Sequence, residues 1–187
     1  MKDEEIRPQL LIKKQSKLIE KDAQILLKRK HLFKNIDCPA CGLKNKKFFF
    51  KKRGFVYNIC KNCNTYFISP RPSNELLKNF YQNSKNMKFW AEKIFPKTRK
   101  TRIKKIFKPR ADFLVKKFKN FFKKKNKFNY LEIGAGDGSF ANEIRKKNFF
   151  ASMSLIEPNK ECAKICKRLK FNLTNDIFEN SEKKLQK

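Results

Sequence analysis

The sequence has one histidine and few acidic residues, 17 Asp and Glu against 48 Lys and Arg in 187 residues. No apolar run reaches the roughly 18 residues that a membrane-spanning helix needs. The acidic start Met1-Lys2-Asp3-Glu4-Glu5 lacks the apolar core of a signal peptide. We therefore expect a cytoplasmic protein without a membrane span, whose thiols stay reduced. The lone His31 could be a metal ligand or a base, but beside lysines we expect a solvated surface residue.

The net charge of +31 has two explanations. Clustered Lys and Arg neutralise phosphates, which favours a nucleic acid or another anionic partner. However, 39 of the 48 basic residues are Lys, whereas phosphate and guanine recognition favours the planar fork of Arg. Lys, Phe, Asn and Ile share AT-rich codons, so genome composition also explains the excess. We favour the composition effect and keep nucleic acid as the alternative.

The pattern of apolar and breaking residues predicts an α/β chain with four segments. Residues 1–35 should hold an N-terminal helix, and residues 36–72 a zinc ribbon with a short hairpin. Residues 73–127 should form a helical connector, and residues 128–187 a partial Rossmann-like domain. The fold class is therefore a zinc ribbon plus a helical segment, followed by a partial doubly wound sheet.

The helical connector has a predicted start and two predicted interruptions. Ser73 is a plausible N-cap, and Pro96 and Pro109 should break the helix into pieces. In the last piece we expect one apolar side to carry Phe113, Leu114, Phe118, Phe121 and Phe122.

Two Cys-x-x-Cys pairs stand 18 residues apart. In each pair a tight turn aims two thiolates at one metal, and two such turns close a tetrahedral zinc site. Gly42 and Asn64 follow the pairs, where the backbone needs a positive φ angle. Four thiolates leave no open position for water, so we expect a structural Zn²⁺ and not a catalytic one. A pair of disulfides is the alternative. The expected ligands are Cys38, Cys41, Cys60 and Cys63.

A strand–helix–strand–helix–strand pattern begins at residue 128. We expect strands over residues 128–133, 152–156 and 171–174, joined by helices over residues 139–147 and 159–169. Cys162 and Cys166 lie four residues apart in the second helix, where we expect one packed thiol and one exposed thiol.

The turn after the first strand carries three alternate glycines, Gly134, Gly136 and Gly138. This spacing differs from the G-x-G-x-x-G pattern of dinucleotide-binding folds. Glu132 precedes the turn, and a carboxylate there suits S-adenosylmethionine, which carries an ammonium and a sulfonium group but no phosphate. Glu157, 23 residues past Gly134, stands where an acidic residue binds ribose hydroxyls in the related dinucleotide fold.

These residues, with Ile156-Glu157-Pro158, resemble the class I S-adenosylmethionine-dependent methyltransferases. The cysteine ribbon, the segment Ile68-Ser69-Pro70-Arg71-Pro72-Ser73 and the glycine turn, in that order, resemble a bacterial group with an N-terminal zinc-binding domain. That group includes sugar C-methyltransferases that act on nucleotide-linked sugars. The resemblance implies that Glu157 holds the ribose, that the glycines line the methionine end near Glu132, and that Asp176 lies near the adenine. The implied cofactor-binding set is Glu132, Gly134, Ala135, Gly136, Gly138, Glu157 and Asp176.

The chain also departs from this family. Its members continue through four more strands and usually carry an acid-then-His segment near the transferred methyl group, which this sequence does not contain. No catalytic residue is therefore assigned. We expect a truncated product or fragment, or a partner chain that completes the sheet, because an unpaired strand edge leaves the core uncovered. Residues 128–187 taken alone should be only marginally stable.

Three functions remain open. The first is methyl transfer from S-adenosylmethionine to a sugar-like acceptor or related small metabolite. The second is RNA modification, which the positive charge favours. The third is a non-catalytic remnant, in which the ribbon and the helical arm bind a partner.

Overall fold

The computed structural model describes residues 2–122 and 128–185. Within them the chain divides into two compact units, one of residues 17–80 and one of residues 1–16 with 81–187. No helix in these described residues has the length and apolar character needed to cross a membrane.

The N-terminal region is helical, as the apolar period predicts. A short 3₁₀ helix, Asp3–Glu5, precedes helix α1, Gln9–Leu27, and a second 3₁₀ helix, Lys30–Leu32, follows it. Only Asp22, Ala23 and Leu26 are buried in α1. This narrow stripe is the one expected for a helix that lies against a neighbour.

The ribbon is an antiparallel sheet of strands β1 (Lys46–Lys52), β2 (Phe55–Cys60) and β3 (Tyr66–Ile68), in that spatial order. Arg53 and Gly54 form the turn between β1 and β2, with φ angles of 49° and 85°. Two positive φ angles are typical of the two-residue turns that match the twist of a hairpin. The predicted hairpin is therefore confirmed, and β3 extends it to a three-stranded sheet.

The helical region is less interrupted than the prolines predicted. After α2 (Asn74–Asn83), which Ser73 caps through the Leu76 amide at 3.4 Å, helical structure runs without a gap from residue 85 to 121. Its parts are α3 (Lys85–Phe89), π-helical Trp90–Ile94, α4 (Phe95–Arg102), π-helical Ile103–Phe107 and α5 (Lys108–Phe121).

The prediction that Pro96 and Pro109 break this region was wrong. Each proline lies at the start of an α-helical segment, directly after a π-helical turn. Proline has no amide to donate to the helical ladder. A π turn shifts that ladder from four residues to five, so the register changes where the missing donor would otherwise interrupt the helix.

The predicted apolar side of the last helical piece was partly right. Leu114 and Phe118 are half-buried, and the Phe118 ring packs against Phe128. However, Phe113 is 63% exposed and Phe121 is 84% exposed, and the fully buried residues of α5 are Ala111 and Val115. The buried positions are four residues apart and therefore share one face of the helix. Small side chains on that face let α5 pack against the following helix, a choice that aromatic periodicity alone does not reveal.

The second sheet is parallel, with strands β4 (Phe128–Ile133), β5 (Phe150–Ile156) and β6 (Asn172–Thr174) in that order. Helices α6 (Ser139–Arg145) and α7 (Lys160–Arg168) make the two crossovers. This arrangement confirms the α/β fold class and the partial Rossmann-like sheet. A further helix, α8 (Phe178–Leu185), follows β6 and was not predicted.

The core of this sheet includes the helix α7 cysteines. Both Cys162 and Cys166 are fully buried, so the expectation that one thiol is exposed was wrong. Cys166 packs with residues of the glycine turn, α6 and β5, in a cluster of Ala135, Ala141, Leu155, Cys166 and Phe171. Burial raises the pKa of both thiols, which keeps them protonated and unreactive.

Candidate functional site

The four predicted zinc ligands converge on one point of the ribbon. Their sulfur atoms all lie within 4.8 Å of one another. The Cys38 and Cys63 sulfurs are 3.5 Å apart, and those of Cys41 and Cys60 are 3.6 Å apart. A tetrahedral site with zinc–sulfur bonds of about 2.3 Å has sulfur–sulfur edges of about 3.8 Å. The four cysteines therefore fit a Zn²⁺ ion.

The two cysteine turns have the same hydrogen-bond pattern. The Gly42 amide donates to the Cys38 carbonyl at 2.9 Å, and the Asn64 amide donates to the Cys60 carbonyl at 3.0 Å. Gly42 has a φ angle of 73° and Asn64 one of 57°, as their positions after the pairs predicted. The Thr65 hydroxyl lies 3.2 Å from the Cys63 sulfur, where it can donate to a thiolate. Such outer contacts orient metal ligands.

The second candidate site lies where β4 meets the glycine turn. The Gly134 amide donates to the Ile156 carbonyl of β5 at 2.8 Å, which ties the start of the turn to the neighbouring strand. Gly134, Gly136 and Gly138 all have positive φ angles, of 74°, 57° and 70°. The backbone can thus turn sharply at the carboxyl end of the sheet, the usual edge for ligand binding in this fold.

A cleft of about 550 Å³ opens at this edge. Its size lies in the range of small-molecule sites. Of the predicted cofactor-binding residues, it brings together Gly134, Gly136 and Glu157. Its other walls are mostly apolar, and the lining is completed by Tyr81, Met87, Phe95, Ile133, Ile156, Pro158, Ile177, Phe178 and Glu179.

Glu157 is held in the cleft wall by two backbone amides. One carboxylate oxygen accepts from the Gly136 amide at 2.7 Å, and the other accepts from the Asn159 amide at 2.8 Å. Burial raises the pKa of Glu157, although both hydrogen bonds act in the opposite direction. Each oxygen keeps a second lone pair, so the carboxylate can also accept from ligand hydroxyls.

Glu132 lies beside the cleft and not in its lining. The Tyr130 hydroxyl donates to a Glu132 carboxylate oxygen at 2.8 Å. Burial raises the pKa of Glu132 to about 7, against the effect of the Tyr130 hydrogen bond, and the charges of Asp137 and Glu157 raise it further. The carboxyl group therefore titrates near neutral pH and would become a full anion beside a cationic ligand.

Three other predicted residues lie outside the cleft lining in the described part of the chain. Ala135 belongs to the core of the sheet. A side chain at Gly138 would come within 3.1 Å of the Cys166 sulfur, so this glycine permits close packing of α7. Asp176 accepts from the Ile177 amide at 2.8 Å and the Asn180 side chain at 3.2 Å. Asp176 therefore precedes the cleft-lining residues at the start of α8.

The sequence reasoning missed an ion pair that covers the glycine turn. Asp137, in the turn itself, is buried and accepts at 3.0 Å from both Nε and an Nη of Arg99 on α4. Its other oxygen accepts from the Ser139 amide at 3.1 Å. Phe95, one helical turn before Arg99, lies 3.8 Å from where a side chain at Gly136 would begin. An acidic residue between two glycines was visible in the sequence, but no pattern pointed to its partner on α4.

Comparisons with known proteins give only distant structural matches. No known protein family matches the chain, and no curated protein matches it. Among solved structures, the chain is similar to the plantazolicin methyltransferase BpumL in complex with SAH and a monoazolic desmethylPZN analog. Identity to that structure is 23%, the match covers 48% of this chain and 39% of that chain, and the TM-score is 0.35.

A second structure of BpumL, in complex with SAH, gives the same result. Its identity is 22%, the match covers 50% of this chain and 39% of that chain, and the TM-score is 0.35. The match thus spans about two fifths of the length of these structures. A likeness at this level supports no conclusion about the fold or the function of this chain.

Proposed function

We propose that this chain binds S-adenosylmethionine in the cleft at the carboxyl edge of the parallel sheet and belongs to a methyltransferase. One observation carries the proposal. The glycine turn and the Glu157 carboxylate, which are separate in the sequence, line the same cleft beside the ends of β4 and β5. A turn of bare backbone next to an acidic residue is the arrangement that binds a nucleoside in related sheets.

The charges around the turn favour a cationic ligand over a dinucleotide. Glu157 and Glu179 line the cleft, and Glu132 and Asp137 lie close to the turn. The Gly136 amide, which a pyrophosphate would need, already donates to Glu157. A phosphate here would meet carboxylates in place of free amides, whereas the ammonium and sulfonium groups of S-adenosylmethionine would be stabilised.

Each part of the cleft then has a role. Glu157 would accept hydrogen bonds from the ribose hydroxyls, while the apolar walls at Phe95, Ile177 and Phe178 would cover the adenine and exclude water. When bound, S-adenosylmethionine would supply an activated methyl group, and the residues that would hold it are Glu157 and the glycine turn. The chain contributes mainly by positioning. No residue in the described chain is assigned as the base.

We propose that the four cysteines hold a structural Zn²⁺ that stabilises the ribbon. The acceptor that we propose is a nucleotide-linked sugar or a related small metabolite, on the strength of the sequence resemblance. A partner chain that completes the sheet stays part of this proposal, because β4 and β6 are both edge strands of the described sheet. Leu131 and Ile133 on β4 are 41% and 53% exposed, although parallel sheets are normally covered on both faces.

The first test is calorimetric titration of SAH into the zinc-loaded chain. We expect about one site per chain. A Gly134→Ala variant should bind SAH at least about tenfold more weakly, because its new methyl group would project into the open cleft, where no atom lies within 4 Å.

Gly42→Ala is the matched control. Gly42 has a φ angle of 73° and also has no atom within 4 Å of an added side chain. It therefore imposes the same backbone strain as the Gly134 variant, of about 1–2 kcal/mol, without entering the cleft. Equal SAH affinity in both variants would contradict the proposed site. Absence of binding by the zinc-loaded natural chain would favour the non-catalytic remnant.

A further inference from the structure

The edge strand of the ribbon gathers aromatic rings on its surface. Pairing between β1 and β2 runs from Phe48 opposite Asn58 to Phe50 opposite Tyr57, so Phe49 is an extra, bulged residue. The Phe49 ring lies 4.7 Å from the Tyr66 ring and 5.2 Å from the Phe50 ring, and Phe50 stacks on Tyr57 at 4.5 Å. A bulge re-aims side chains in this way. We call Phe49, Phe50, Tyr57 and Tyr66 the aromatic platform.

The aromatic platform does not form the core of the ribbon. That core consists of Cys38, Cys60 and Phe67, with Ile36 packed against it. In contrast, Phe49 is 50% exposed, Phe50 37% and Tyr66 56%. Single exposed apolar residues are common on protein surfaces, but a contiguous cluster of large rings usually marks a binding surface.

The segment of the chain that carries the aromatic platform has positive charges and no acidic residue. Strand β1 has the sequence Lys-Lys-Phe-Phe-Phe-Lys-Lys, and residues 38–74 contain no Asp or Glu at all. The whole chain has 17 acidic residues in 187, about one in eleven. An AT-rich genome explains frequent Lys and Phe, but it does not explain a bulge that exposes the rings together.

We infer that the aromatic platform and the β1 lysines bind single-stranded nucleic acid. Unpaired bases would stack on the exposed faces of Phe49 and Tyr66, while Lys47 and Lys52, which the strand register places on the same face of the sheet, would contact the phosphates. Every base has a π-face, so such a surface tolerates many sequences. A duplex keeps its bases stacked inside and should bind only through its phosphates. This binding is separate from the S-adenosylmethionine site and does not depend on it.

The test is fluorescence anisotropy with a labelled 12-nucleotide single-stranded RNA and the zinc-loaded full chain, without SAH. Phe49→Ala together with Tyr66→Ala should weaken binding about tenfold or more. Phe113→Ala together with Phe121→Ala is the matched control, because it removes two exposed rings at unchanged charge and should change affinity less than about twofold. Zinc content, one ion per chain, checks that the ribbon is folded. If the pair loses zinc, Tyr66→Ser alone replaces it.

A second pair of variants separates this surface from general attraction to a basic chain. Lys47→Gln with Lys52→Gln should lower the slope of log affinity against log salt by about 1.4, for two single-strand phosphates. Lys116→Gln with Lys117→Gln, on α5, removes the same charge and should leave the slope nearly unchanged. Equal changes of the salt slope in the two double variants would overturn the inference.

Single-stranded DNA, a duplex and a second copy of the chain give distinct outcomes. A single-stranded DNA of the same sequence should bind through the same residues, since stacking does not require the 2′-hydroxyl. Equal affinity for a duplex, with no effect of the Phe49 and Tyr66 changes, would overturn the inference. So would unchanged RNA affinity combined with loss of self-association in sedimentation, which would assign the aromatic platform to contact between copies of the chain.

Discussion

The ionisation of Glu132 offers a direct test of the site's electrostatics. The pKa of Glu132 is raised from 4.5 to about 7 because the carboxyl group is buried and lies near Asp137 and Glu157. The folded chain therefore takes up a proton more readily than the unfolded chain. Ionisation of the buried carboxyl group therefore destabilises the folded chain. This destabilisation is absent below about pH 4.5, the pKa in the unfolded chain, grows as the pH rises toward the pKa of the folded chain, and is complete above about pH 7.

The magnitude follows from the size of the shift. A shift of about 2.5 pH units, at 1.36 kcal/mol each, corresponds to about 3 kcal/mol, most of which appears between pH 5 and pH 8. Glu132→Gln removes this titration but keeps an oxygen that can accept the Tyr130 hydrogen bond. The free energy of unfolding of the variant, minus that of the natural chain, should therefore be about 2–3 kcal/mol larger at pH 8 than at pH 5.

Urea unfolding at both pH values, followed by tryptophan fluorescence, measures this effect. Trp90 is the single tryptophan of the chain, and it lies in the unit of residues 1–16 and 81–187. Its signal therefore reports the unit that contains Glu132. Glu92→Gln is the control, since Glu92 is exposed and makes only a 3.8 Å ion pair with Lys88. That change should alter stability by less than about 1 kcal/mol.

A difference between Glu132→Gln and the natural chain that stays constant from pH 5 to pH 8 would refute the reasoning, because it would mean that Glu132 is well solvated in the folded state. The same variant also tests a functional prediction. If Glu132 faces the ammonium or sulfonium of the cofactor, the more stable variant should bind S-adenosylmethionine more weakly at pH 8. Tighter or equal binding would remove Glu132 from the cofactor-binding set.

Three further outcomes are expected. Chelation of zinc, or Cys60→Ser, should abolish the protection of β2 amides from hydrogen exchange, because metal binding contributes about 10–16 kcal/mol to folding in zinc-finger peptides. Protection that persists would contradict a structural metal. Gly138→Ala should lower the free energy of unfolding by about 2 kcal/mol, since φ is 70° and the new methyl would lie 3.1 Å from the Cys166 sulfur. Adding Cys166→Ala to this variant should recover the part of the loss that comes from contact with the sulfur. Arg99→Met should lower the free energy of unfolding by about 2 kcal/mol, because it leaves buried Asp137 without its cation. Adding Asp137→Asn to this variant should restore stability. Equal losses of stability in the single and the double variant would contradict the pairing of Arg99 with Asp137.

The local sequence patterns predicted the secondary structure of both sheets well. The hairpin turn Arg53-Gly54, the strand Phe128–Ile133 and the positive φ angles of Gly42 and Asn64 all depend on neighbouring residues, and all are found where the patterns place them. The four thiolates converge for the same reason, because each Cys-x-x-Cys turn fixes two of them locally. The assignment of the cofactor-binding residues stays a prediction.

Long-range packing decided what the sequence patterns could not. Aromatic periodicity in α5 favoured a face with Phe113 and Phe121, yet contact with α6 selected the face with Ala111 and Val115. The spacing of the two α7 cysteines suggested one exposed thiol, but the glycine turn packs over Cys166 and buries it. The prolines looked like breaks, because the sequence does not show that π turns precede them.

The sequence by itself determined most elements and the two cysteine turns, because turns, strand alternation and Cys-x-x-Cys geometry depend on residues that are neighbours in the chain. Only the tertiary structure brought Arg99 to Asp137, and Glu157 to the Gly136 amide, across 38 and 21 residues. It also exposed the rings of the aromatic platform through a one-residue bulge. The physical reason is that burial and pairing energies depend on which surfaces meet, and these surfaces come together only when the strands and helices pack.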